Sequence, residues 1–107
     1  MSFEIRTIDP FERELKKLSK KYPSVKNDIL DLAEELIENP LMGVPLGKDC
    51  YKIRMAIASK NKGKSDGARI ISYYHLENAV ILLSIYNKGE KDSISNQEIQ
   101  NLIDEIL

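Results

Sequence analysis

Between Lys48 and Arg69 the chain places seven cations, Lys48, Lys52, Arg54, Lys60, Lys62, Lys64 and Arg69, against two anions, Asp49 and Asp66. The whole chain has a formal charge of −1, so the remainder is net acidic. A charge split of this kind marks a face built for a polyanion, RNA or DNA. Lys52 and Arg54 stand two apart in a strand-like segment, where side chains i and i+2 share a face roughly 7 Å apart. That spacing matches successive phosphates of a nucleic-acid backbone, or both sides of one phosphate. Tyr51, Ile53 and Met55 then take the core side. On the next strand-like segment Arg69, Ile71 and Tyr73 share a face, and strand pairing can bring Arg69 beside Lys52 and Arg54. A solvated hairpin tip would carry the same charges, but lysine is depleted inside strands.

Other chemistry-bearing residues are sparser. Gly63-Lys64-Ser65 is a fragment of a phosphate-binding P-loop, yet Ala58 replaces the glycine that motif needs, and a strand follows instead of a helix. A nucleotide site of that type is excluded. His75 is the single histidine, a candidate acid or base that titrates near neutral pH. Tyr73, Tyr74 and Tyr86 could stack on bases or donate to phosphate. With one cysteine, Cys50, and one histidine, a tetrahedral zinc site would need carboxylates to complete it, and none is expected. The acids of residues 28–38 read as the solvated face of a helix.

These residues need a scaffold, and 107 residues make one domain, 1–107. A hydrophobic fraction of 42% with 31% charged residues is that of a globular chain. No apolar run approaches the roughly 18 residues needed to span a membrane. The first dozen residues mix charges and lack an apolar stretch, so no signal peptide is expected. A lone cysteine fits a reducing compartment, and a cytoplasmic location is expected. Residues 3–7 alternate as a short strand. Asp9-Pro10 with Glu12 predicts a capped helix, with Phe11, Leu15, Leu18 and Tyr22 on one face. Pro23 breaks it, and a second helix carries Val25, Ile29, Leu32, Ala33, Leu36 and Ile37 inward. Residues 40–49 read as a loop. Residues 50–58, 68–76 and 79–86 read as strands, the last two joined at Glu77-Asn78. Residues 95–106 return to helical spacing with Ser95 as cap, and Ile99, Leu102, Ile103 and Ile106 as a core stripe. The order β-α-α-β-β-β-α is an α+β domain, a helical hairpin and a C-terminal helix on one small, mainly antiparallel sheet.

This order resembles the RelE/ParE superfamily of bacterial toxin–antitoxin toxins. The resemblance is tightest at Cys50-Tyr51-Lys52-Ile53-Arg54, over 58–71, and at Ile85-Tyr86-Asn87-Lys88-Gly89-Glu90-Lys91. The Lys/Gly loop and the strand Gly67-Ala68-Arg69-Ile70-Ile71 are similar to the HigB-like branch. The resemblance implies a toxin that enters the ribosomal A site and cuts mRNA, held in check by a cognate antitoxin, without cofactor or metal. Its partners would be the antitoxin, the ribosome and mRNA, with no membrane. Lys52 and Arg54 match the family's two basic residues of the second strand, and Arg69 the arginine opening the third. Lys88 falls near a further basic residue. The family's C-terminal tyrosine has no counterpart, since Ser93-Ile94-Ser95 stand there, and Tyr86 is the nearest substitute. Lys48, Lys60, Lys62, Lys64, Tyr73 and His75 are the candidate flanking RNA contacts. The implied reaction is attack of an RNA 2′-OH on the adjacent phosphorus, giving a 2′,3′-cyclic phosphate, with cations stabilising the phosphoryl oxygens. Lys52, crowded by Arg54 and Arg69, is the candidate base. Two other readings stay open: a ParE-like inhibitor of DNA gyrase, and a catalytically inactive RelE-fold binding protein.

Overall fold

The computed structural model describes residues 4–75, 78–91 and 93–106. Strand β1 (Glu4–Thr7) leads into helices α1 (Asp9–Lys21) and α2 (Val25–Glu38). Strands β2 (Val44–Gly47), β3 (Cys50–Met55), β4 (Ala68–His75) and β5 (Ala79–Asn87) follow, then helix α3 (Asn96–Asp104). The five strands form one sheet in the order β1-β5-β4-β3-β2. The β1–β5 pair is parallel and the others are antiparallel. The expected α+β domain is what forms, with three helices on a mixed sheet.

The two sheet faces are covered unequally. On one face Phe11, Leu15 and Leu18 of α1 and Val25, Ile29, Leu32 and Leu36 of α2 pack on Ile53, Ile70, Val80, Leu82 and Ile85. On the other, Ile99 and Ile103 of α3 pack on Cys50, Ile71, Ile81, Leu83 and Tyr86. The α3 stripe is therefore core, as its spacing predicted. Ser95 closes a full capping box with Glu98, which fixes where this nine-residue helix starts.

Local differences from the sequence reading have physical causes. Ile8, not Asp9, is the N-cap of α1, and no side chain caps it. Glu12 instead accepts a 2.9 Å hydrogen bond from the Thr7 hydroxyl. Ile37 is 43% exposed, because Leu36 continues the inward series Ile29–Leu32 and its neighbour turns about 100° away. Residues 40–49 are not all loop: β2 lies there as an edge strand, paired through Val44↔Lys52 and Pro45↔Tyr51. Proline is tolerated at such an edge, where its missing N–H faces away from the ladder. Asn78 has a positive φ of 70°, suited to the expected turn into β5. Glu77, Leu76 and Phe3 lie outside the described residues. No described helix is long and apolar enough to cross a membrane.

Candidate functional site

Register decides what the sheet presents beside α3. Arg54 is paired directly with Arg69, and Arg69 directly with Tyr86. Directly opposed residues on neighbouring strands share a face, with Cα atoms about 4.5–5.5 Å apart. Arg54, Arg69 and Tyr86 thus form one row across β3, β4 and β5. The next row is Lys52, Ile71 and Ser84. A bulge between Ile71 and Ser72 leaves Leu83 out of the β4–β5 ladder. It lets Leu82 and Ile85 both reach the hairpin core, while Leu83 and Tyr86 face α3.

The members of the row differ in exposure. Arg54 is exposed and Lys52 half-buried. Arg69 is only 4% exposed. Its guanidinium donates to the carbonyls of Lys64 at 3.0 Å, Ser65 at 3.1 Å and Ala68 at 3.2 Å. Tyr86 is buried too, and its hydroxyl has no hydrogen-bond partner. Burial raises its pKa, and the Glu98 carboxylate adds to that, against the pull of Arg69 and Lys91. The Lys91 ammonium lies 5.7 Å from the Tyr86 ring centre and pairs with Glu98 at 2.6 Å. Beside them, a cleft of about 360 Å³ between α1 and α3 is bordered by Arg13, Ser84, Tyr86, Lys91 and Glu98.

The lysine-rich loop 56–67 is held from several sides. Its two 3-10 turns span Ala58–Lys60 and Lys64–Asp66. Asp28 accepts from the Ala58 N–H at 3.1 Å, and Ser24 from the Ser59 N–H at 2.8 Å. The Lys60 ammonium donates to the Asp66 carbonyl and, at 3.1 Å, to the Asn87 side chain. It also lies 5.3 Å from the Tyr22 ring centre. Gly67 seats the loop against β3: a Cβ there would collide with the Met55 carbonyl oxygen. Lys62, Lys64 and Lys88 remain exposed.

The remaining candidates lie elsewhere. Tyr73 and His75 occupy the other end of β4, His75 about 20 Å along the strand from Arg69. Their rings meet at 5.6 Å, and the Nδ1 of His75 is buried without a partner. Lys48 donates to Gln100 of α3 at 2.6 Å. Cys50 is buried at this end, and burial, with the Asp49 charge behind it, pushes its thiol up to about 11. So Lys52, Arg54, Arg69, Tyr86, Lys88, Lys60, Lys62 and Lys64 gather at one end of the sheet, while Lys48, Tyr73 and His75 do not. Among the described residues no group of three His, Cys, Asp or Glu side chains could hold a metal ion.

A family model described as the RelE toxin of the RelE / RelB toxin-antitoxin system matches residues 10–104. The chain belongs to this RelE toxin family. Solved relatives show the shared fold. A doubly substituted E. coli toxin RelE in the free state matches with a TM-score of 0.65 at 19% identity, covering 100% of both chains. The intact E. coli RelBE toxin–antitoxin complex matches at 0.59 and 22%, over 79% of this chain and 95% of that one. The mutant E. coli toxin bound to an antitoxin RelBc peptide matches at 0.57 and 20%, over 94% of each. No curated protein matches.

In this RelE-family toxin the sequence reading missed two participants. Lys91 stands over Tyr86, and only the return of the chain after β5 brings it there. Asp28 is not merely solvated but anchors the loop, and nothing in an acidic helix sets it apart from Asp31 or Glu35.

Proposed function

We propose that this chain is the toxin of a type II toxin–antitoxin system, and that it cuts mRNA in the ribosomal A site. The observation that carries this reading is the row Arg54–Arg69–Tyr86, flanked by Lys52 and the anchored lysine loop. It sets two accessible cations beside a buried, unpartnered hydroxyl. Family membership and the RelBE fold support it.

In the proposed reaction the 2′-oxygen bonds to phosphorus and the bond from phosphorus to the 5′-oxygen breaks. A 2′,3′-cyclic phosphate and a 5′-hydroxyl result. Lys52 accepts the proton of the 2′-OH. Arg54 stabilises the charge that builds on the phosphoryl oxygens. Tyr86 donates the proton to the leaving 5′-oxygen, and burial favours the protonated hydroxyl that this role requires. The phosphate draws Lys91 away from Glu98 and opens the way to Tyr86. Lys62, Lys64 and Lys88 hold the backbone on either side. Arg69 acts through the loop: its fork fixes the carbonyls of Lys64 and Ser65, and so fixes where the loop lysines stand. No step uses a metal ion or cofactor. Lys48, Tyr73 and His75 have no part in it, because they lie at the other end of the sheet. The ribosome orients the codon, which so sparse a site needs. A cognate antitoxin silences the toxin in its own cell.

Expression in growing bacteria tests the reading. Growth arrest with mRNA cut within ribosome-bound codons supports it. Arrest with stalled DNA replication and intact mRNA supports gyrase inhibition instead.

A further inference from the structure

Most large apolar side chains of α2 point into the core, but a second set points out. Leu30 is 63% exposed and Ile37 43%. Leu41, which follows the helix, is 49% exposed, whereas the exposed Val44 pairs with Lys52 and belongs to the other face of the sheet. Leu30 and Ile37 are two turns apart on one side, about 10 Å along the axis. Scattered exposed leucines need no explanation, but an aligned set beyond a sealed core marks an interaction surface. One border of this stripe is acidic, with Asp31, Glu34 and Glu38 all exposed. Lys26, one turn before Leu30, is the cation nearest along the helix.

We propose that the outer face of α2, continued by Leu41, docks an amphipathic helix of the cognate antitoxin whose apolar side is edged by lysine or arginine. This rests on the toxin reading above. Anchors at i, i+7 and i+11 of such a helix, which share one face, would lie along Leu30, Ile37 and Leu41. Its cations would pair with the acidic border, which also keeps RNA phosphates off this side of the molecule. A second copy of the chain fits worse, since it offers the same acidic border and would leave those carboxylates unpaired. Asp31 of the acidic border lines a pocket of about 170 Å³ together with Arg54 and Lys64, so a helix docked here also reaches the edge of the cutting site.

The test uses the full chain with the product of the neighbouring reading frame as antitoxin probe. The double variant Leu30→Glu, Ile37→Glu changes exposed positions only. It is expected to arrest growth as the wild type does, to bind the probe at least tenfold more weakly, and to escape neutralisation. The variant Glu34→Lys, Glu38→Lys is expected to bind more weakly and to lose most of the salt dependence of binding. Wild-type binding and neutralisation of both variants would overturn the proposal. So would loss of growth arrest with unchanged probe binding, which would put the stripe on the toxin's target. Failure of the toxin reading itself looks different: the wild-type chain neither arrests growth nor binds the probe.

Discussion

The two faces of this sheet are made from the same strands and serve opposite ends. Under α1 and α2 the face is sealed: Phe11, Leu36, Ile53, Ile70, Val80 and Ile85 are buried. Under α3 the face is covered from the Cys50 end as far as Tyr86, by a helix of nine residues. The other end keeps Arg54 exposed and Tyr86 unpartnered beneath Lys91. A buried hydroxyl without a partner costs stability, on the order of 1–3 kcal/mol. The Ser72 hydroxyl and the His75 Nδ1 are also buried without partners, but Tyr86 alone of the three stands in the row with Arg54 and Arg69, which is why the proposed reaction gives it a role.

Mutations should separate the two faces. Ile70→Ala on the sealed face should cost about 2–5 kcal/mol of stability, read by denaturant unfolding. On the open face Lys52→Ala and Arg54→Ala should change stability by less than about 0.5 kcal/mol yet abolish cleavage. Equal stability losses on both faces would erase the distinction. Tyr86→Phe sharpens it further. Cleavage should fall by about 10²–10⁴, while stability stays level or rises, because no hydrogen bond is lost. A destabilised Tyr86→Phe protein with full activity would make the hydroxyl structural.

Arg69→Lys keeps the charge but not the fork that reaches several carbonyls. It should lose nearly as much activity as Arg69→Ala, and amide exchange across residues 59–67 should quicken. Full activity in Arg69→Lys would show that charge alone is needed. A smaller effect belongs to the covered end of the α3 face. The Cys50 thiol is raised to about 11, so the fold favours its neutral form. That contribution is complete below the unfolded value of about 8.5 and fades as pH rises toward 11. Thermal stability should decline over that window, and thiol-reagent labelling should be slow at pH 8. Rapid labelling there would mean that the α3 cover opens readily. Least of all, Glu98 is held below the usual carboxylate range, chiefly by its hydrogen bond to Lys91. The Lys91–Glu98 pair should hold α3 in place above about pH 4.3 and release it as the pH falls through the lower folded value, a change visible in amide exchange of α3.

Periodicity made much of this legible in the sequence. The helices, the three long strands and the shared face of Lys52 and Arg54 follow from residue spacing. Register did not, and register is what sets Arg69 against Arg54 and Tyr86. The bulge at Leu83 leaves no mark in the apolar run from Ala79 to Leu83. Pro45 hid β2, because proline reads as loop unless the strand is known to be an edge. Arg69 showed its charge but not its carbonyl partners, which come from a loop folded back over it. Ile37 fitted an apolar stripe that was one residue too wide, and only packing shows which side of a helix is left over.

The most direct measurement maps the ends of mRNA on ribosomes incubated with purified wild-type, Arg54→Ala and Tyr86→Phe protein. Wild type should leave a 2′,3′-cyclic phosphate within the A-site codon, Arg54→Ala should leave the mRNA whole, and Tyr86→Phe should cut at least a hundredfold more slowly. Intact mRNA with a wild-type protein that still arrests growth, or equal cutting by all three, would contradict the assignment of the open end of the sheet as the cutting site.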